Sequence, residues 1–189
     1  MMDLRVHAIV GETRANGPGV RACVWVQGCR IHCKGCFNPE THAPEAGSLV
    51  PVDEIVAKLI DLGSRISGLT ISGGEPLDQP EALKHLLDQV HNRTDLTILI
   101  SSGYTRAQIE ADPAKLAAIE HAGAVICGPY VESQRTARGF RGSLNKEVWI
   151  RDSAAFKESD FRDVPRTEVI VAQDGTITLT GVGPMVSRG

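Results

Sequence analysis

Cys29, Cys33 and Cys36 stand within one stretch, Gly28-Cys-Arg-Ile-His-Cys-Lys-Gly-Cys-Phe-Asn38, with the spacing C-x-x-x-C-x-x-C. Three soft thiolates so placed can grip one metal centre from one side. A cubane [4Fe–4S] cluster normally takes four cysteines, and no fourth lies close by in the sequence. Held by three, it keeps one iron open to a substrate or cofactor, and an open metal position marks a catalytic rather than a structural site. Structural zinc completed by His32 or His42 is the competing reading of this loop. Zinc sites more often arrive as paired C-x-x-C knuckles, and no second pair is present.

A second candidate site is Ser72-Gly-Gly-Glu-Pro76, directly after the apolar run Gly68-Leu-Thr-Ile-Ser72. In βα folds, ligand-binding residues gather at the carboxyl ends of strands. Adjacent glycines let a ligand approach the backbone and leave its amide and carbonyl groups free to bind. Glu75 can accept a hydrogen bond from an ammonium group. Alone, Gly-Gly-Glu-Pro is a common turn; its place one βα unit after the cysteine loop gives it weight.

The elements around these sites follow from periodicity. Leu4 to Val10 reads as a strand, Gly11 to Gly19 as a loop, and Cys23 to Val26 as a short strand entering the cysteine loop. Asp53 can cap a helix carrying Ile55, Val56, Leu59 and Ile60 inward, with Gly63 after its end. The next helix starts near Pro80, with Leu83, Leu86, Leu87 and Val90 on one face. Leu96 to Ile100 is a strand. Asp112-Pro113 opens a helix with Leu116 and Ile119 inward and Gly123 closing it, and Ala124 to Cys127 is a further strand. Strands alternating with helices predict parallel βα units. Glu147 to Ile150 reads as a strand, and Thr167 to Gly181 as a hairpin around Asp174-Gly175. A closed eightfold βα barrel needs about 250 residues, so 189 residues predict an α/β fold of open partial (β/α) barrel type with a C-terminal β-hairpin.

The length predicts one domain over 1–189, with a core at about 5–150 and an extension over 151–189. At 42% hydrophobic and 23% charged, the composition is that of an ordinary globular protein. The net charge of −3 gives no reason to expect nucleic-acid or membrane binding. No apolar run suits a signal peptide or a membrane span, so a cytoplasmic location is expected. In a reducing compartment, five cysteines with three clustered point to a metal before disulfides.

The cysteine triplet followed by Gly-Gly-Glu-Pro resembles the radical S-adenosylmethionine superfamily. The resemblance implies that Cys29, Cys33 and Cys36 hold one [4Fe–4S] cluster and that the amino-acid end of S-adenosylmethionine chelates its open iron. Asn16-Gly-Pro-Gly-Val-Arg21 is similar to the Asp-Gly-Pro-Gly-Ile-Arg stretch of glycyl-radical-enzyme activases. Cys33-Lys-Gly-Cys-Phe-Asn38, Ser101-Ser-Gly-Tyr104, Gly128-Pro-Tyr-Val131 and Arg141-Gly-Ser-Leu-Asn-Lys146 resemble stretches in activating proteins of the anaerobic ribonucleoside-triphosphate reductase. From these motifs, Gly35, Phe37, Ser72, Gly73, Gly74, Glu75 and Ser101 are the implied cofactor-binding residues, and no side chain is implied as a catalytic acid or base. The implied activity is reductive cleavage of S-adenosylmethionine to methionine and a 5′-deoxyadenosyl radical. That radical takes a hydrogen atom from a backbone glycine of a partner enzyme. The implied electron source is a low-potential donor, flavodoxin or ferredoxin. The other readings are a radical enzyme acting directly on a small molecule, modified base or peptide, and a non-catalytic electron carrier or zinc module.

Two positions depart from the family pattern. Asn16 replaces the usual aspartate, and Cys127 stands where aspartate commonly precedes Gly-Pro. Cys127 and Cys23 read most simply as small buried hydrophobes. Arg135, Arg138, Arg141 and Lys146 form a basic stretch suited either to a carboxylate or acidic partner, or to solvent alone. His7, His85, His91 and His121 lack ligand spacing and are assigned no role.

Overall fold

The structure is a computed structural model describing residues 2–136, 138–183 and 186–188, the last three as backbone. Its main element is a seven-stranded sheet ordered β3-β1-β2-β4-β5-β6-β9. The strands are β1 (Asp3–Thr13), β2 (Arg21–Val26), β3 (Ser48–Pro51), β4 (Gly68–Gly73), β5 (Thr97–Ser101), β6 (Ala124–Cys127) and β9 (Glu147–Ile150). Between β6 and β9 the short strands β7 (Arg135–Thr136) and β8 (Gly142–Ser143) pair with each other. After β9, β10 (Thr167–Val171), β11 (Ile177–Gly181) and β12 (Val186–Arg188) make a separate antiparallel sheet.

β2, β4, β5 and β6 pair in parallel, as their alternation with helices predicts. The flanking strands do not follow that rule: β1 runs antiparallel to β2 and to β3, and β9 antiparallel to β6. The sheet therefore stays open, with β3 and β9 as its edges. β1 also reaches Thr13, into the stretch expected to be loop, because residues up to Thr13 pair with β2 through two register shifts.

The helices are α1 (Val52–Leu62), α2 (Pro80–Arg93), α3 (Arg106–Glu110) and α4 (Pro113–Ala118). Asp53 is not the cap of α1: Pro51 holds that position and Asp53 lies in the first turn, where a carboxylate favours the helix dipole. Ile60 is 43% exposed and Leu116 37% exposed, so neither belongs to the buried face expected of it. α4 ends at Ala118, well before Gly123, and α3 opens on a Thr105–Gln108 capping box that the hydrophobic pattern did not signal. No helix among the described residues is long and apolar enough to cross a membrane.

The two faces of the sheet are covered differently. One packs against α1 and α2 through Ile55, Val56, Leu59, Leu83, Leu86 and Leu87. On the other face, Leu99, Ala124 and Ile126 meet Phe140, Phe156, Phe161 and Val182. Three of those partners come from the C-terminal forty residues, which thus supply core rather than an appendage. Arg21 lies beneath this face, fully buried. Nε donates to Thr70 Oγ1, Nη1 to Pro18 O and Thr97 Oγ1, and Nη2 to Leu69 O and Thr97 O. All five guanidinium N–H groups are met, so the charge is held by carbonyl and hydroxyl dipoles without a carboxylate.

Candidate metal and cofactor site

β2 ends at Val26 and delivers the chain into the cysteine loop at the same edge where β4 ends in Gly73. The double glycine has an internal reason. At Gly73, φ is +101°, and a Cβ would lie 2.6 Å from the Val26 amide nitrogen and carbonyl oxygen; at Gly74 it would lie 2.2 Å from Gly28 O. The space expected for a ligand's approach to the backbone is taken on that side by the chain's own neighbouring loop. Gly74 N–H donates to Val26 O at 2.9 Å and Glu75 N–H to Gly28 O at 2.8 Å, sewing the strand end to the cysteine loop.

Glu75 is 1% exposed. Its carboxylate accepts from Leu77 N at 3.0 Å, Ser102 Oγ at 2.8 Å and Gly103 N at 2.7 Å. Burial pushes its pKa up to about 7 against the pull of those donors. The side chain thus ties the end of β4 to the turn after β5. Asp78, which sequence reasoning missed, makes the complementary link. It accepts from Arg30 N in the cysteine loop at 2.8 Å and from Tyr104 Oη at 2.7 Å. Its place on the short 3₁₀ turn Pro76–Asp78 was the available signal.

Cys29, Cys33 and Cys36 are half-buried free thiols on the wall of one cavity. Phe37, Ser72, Gly73, Gly74, Glu75 and Ser101 line the same cavity. Gly35 does not. It sits in the left-handed region (φ +72°), where a Cβ would come within 2.6 Å of the Glu132 carboxyl carbon, so Glu132 fills that flank. Burial pushes the Cys29 and Cys36 thiols up, so metal capture there must release protons. The chemistry of the donor set fits an iron–sulfur cluster: three thiols on one wall, with backbone and hydroxyl groups opposite. Among the described residues, no group of three or more His, Cys, Asp or Glu side chains, the three thiols included, is drawn together closely enough to hold a metal ion.

The cavity also holds residues that the motifs did not place there. Lys146 reaches it, with Nζ donating to Ser102 O at 3.3 Å. Burial holds this ammonium below its usual value, while the nearby Glu75 pulls it up. Arg141 also lines the cavity, whereas Arg135 and Arg138 do not. Gly181 and Val182 close one side. The segment bearing them is fixed to the Gly-Pro-Gly loop by Asn16 Nδ2 donating to Thr180 Oγ1 at 2.7 Å, and Glu168 accepts from Thr13 Oγ1 and Arg14 N, both at 2.7 Å. The amide of Asn16 is thus engaged in holding the C-terminal sheet. Cys23 and Cys127 are buried as small apolar groups, and burial pushes the Cys127 thiol up to about 12.

Comparison with known proteins identifies relatives. The family described as 4Fe-4S single cluster domain matches residues 15–149. The anaerobic ribonucleoside-triphosphate reductase-activating protein of Enterobacteria phage T4 is 30% identical over 146 residues, covering 75% of this chain and 91% of that one. Its counterpart from Vibrio cholerae is 31% identical over 140 residues, covering 70% and 89%. The pyruvate formate-lyase-activating enzyme of Clostridium pasteurianum is 34% identical over 104 residues, covering 53% and 44%. The family match stops at the end of β9, leaving the C-terminal sheet outside it. The chain belongs to the 4Fe-4S single cluster domain family, among the radical S-adenosylmethionine activating enzymes.

Proposed function

We propose that Cys29, Cys33 and Cys36 ligate three irons of one [4Fe–4S] cluster and that the protein activates an anaerobic ribonucleoside-triphosphate reductase by generating a glycyl radical on it. The observation that carries this reading is the gathering of the three thiols and the Ser72–Glu75 strand end around one cavity. With cluster and S-adenosylmethionine bound and an electron supplied by flavodoxin or ferredoxin, the centre provides a 5′-deoxyadenosyl radical for hydrogen abstraction. The protein's own residues bind and orient. Gly73 and Gly74 keep the strand end flush with the cysteine loop. Ser72 and Ser101 offer hydroxyls to the methionine moiety. Lys146 brings a half-buried positive charge to meet its carboxylate. Phe37, packed edge-on against Tyr130 with ring centroids 4.9 Å apart, gives an apolar wall that excludes water.

The test is anaerobic reconstitution with electron paramagnetic resonance before and after S-adenosylmethionine is added, followed by incubation with the reductase. A cubane signal that shifts with the cofactor, then a glycyl-radical doublet on the partner, is the expected result. An indifferent signal removes the open-iron reading; a shift without the doublet removes the partner. One observation favours a second reading, direct action on a small molecule: Gly181 and Val182, outside the family match, narrow the cavity. In that case 5′-deoxyadenosine forms with a small substrate and no partner enzyme.

A further inference from the structure

Nε2 of His42 is buried and has no hydrogen-bond partner among the described residues. A buried nitrogen left unpaired is costly, so it marks a place where a group from outside the chain belongs. The ring lines the cavity with Cys29, Cys33 and Cys36. Its backbone is tied to the cysteine loop: His42 O accepts from Cys29 N at 3.1 Å, and His42 N donates to Pro39 O at 3.1 Å. Gln27 braces both sides, its Nε2 donating to Glu40 O at 3.0 Å and Ala43 O at 2.8 Å. The His32 ring meets His42 edge-on, with centroids 4.7 Å apart. Held by these contacts, the imidazole stands at the cavity wall beside the cysteine loop, with Nε2 unpartnered among the described residues.

We propose that His42 Nε2–H donates a hydrogen bond to a sulfur of the cluster and raises its reduction potential. This rests on the three-cysteine ligation proposed above. Thiolate and sulfide sulfurs only accept, so the contact requires the hydrogen on Nε2 and fixes the tautomer. A donor aimed at cluster sulfur stabilises the more negative reduced state over the oxidised one, and hydrogen bonds of this kind are among the levers that set cluster potentials. His42 thereby tunes the metal without ligating it.

The cluster is reconstituted in the full chain and in His42→Phe and His42→Gln, and each is titrated by electron paramagnetic resonance without S-adenosylmethionine. Phenylalanine keeps a ring but removes the N–H. The expected result is a lower potential by about a tenfold change in the reduction equilibrium, about 59 mV for one electron. Glutamine, with an amide donor, recovers part of the shift. Equal potentials for wild type and His42→Phe overturn the proposal. Should His42→Phe fail to hold a cluster, pulsed resonance on wild-type protein with ¹⁵N-histidine decides. A weak nitrogen coupling with an exchangeable proton supports the contact; a strong coupling, as in direct ligation, or none overturns it. The response of the wild-type signal to added S-adenosylmethionine is a separate readout, so the activase reading can fail while this one stands.

Discussion

The strand-end platform and the cysteine loop face each other across one cavity but are built on opposite terms. In the platform, two carboxylates do the holding, accepting from backbone amides and hydroxyls. Glu75 takes Leu77, Ser102 and Gly103, and Asp78 takes Arg30 and Tyr104. In the loop, backbone bonds do the holding: Gly28 N to Thr41 O, Cys29 N to His42 O, Cys36 N to Cys33 O. Its thiols and the His42 imidazole are turned to the cavity. The platform is therefore held by its carboxylates, whereas the loop is held mainly by its backbone and leaves three free thiols on the cavity wall. Buried polar groups that find partners within the chain rigidify it; those that do not are reserved for a ligand.

This contrast breaks most sharply at Cys33. Cys33→Ala should abolish both iron–sulfide content and 5′-deoxyadenosine formation while leaving the thermal transition of the metal-free protein within about 0.5 kcal/mol of wild type, as expected away from core contacts. Retained cleavage in that variant would remove the thiol from the ligand set. Gly74→Val strikes the seam between the two regions, since a Cβ there would sit 2.2 Å from Gly28 O. A loss of about 3 kcal/mol in urea unfolding is expected, together with reduced cluster loading. Full loading with unchanged stability would mean that the seam is not shared.

Glu75→Gln tests the platform alone. The amide cannot accept from Leu77, Ser102 and Gly103 together, so stability should fall by about 2 kcal/mol in chemical denaturation of the metal-free protein. No loss would show that the network does not bear on folding. Tyr104→Phe removes one bond to Asp78, a difference of about 1 kcal/mol, readable as a small drop in melting temperature with cluster content unaltered.

Much of this was legible in the residues. The cysteine triplet, Gly-Gly-Glu-Pro, the four parallel strands and the hairpin at Asp174-Gly175 all follow from local spacing, because periodicity and turn chemistry act between near neighbours in the chain. Other features were not. Thr13 joining β1, the antiparallel edge strands and the exposure of Ile60 and Leu116 depend on which surface each element meets.

Glu75 reads from its motif as a ligand group, and its carboxylate also accepts from Ser102 and Gly103, 27 and 28 residues away. Asn16 reads as a weakened copy of an aspartate, yet its amide reaches Thr180, 164 residues on. Lys146 reads as one member of a basic stretch, yet its Nζ lies beside Ser102 O at the cavity wall. The kind of chemistry was thus set by sequence alone, since ligand type and strand-end glycines are local properties. Which polar groups serve the fold and which remain for the cofactor was decided only by tertiary structure, because hydrogen-bond saturation depends on partners that the chain brings together over long range.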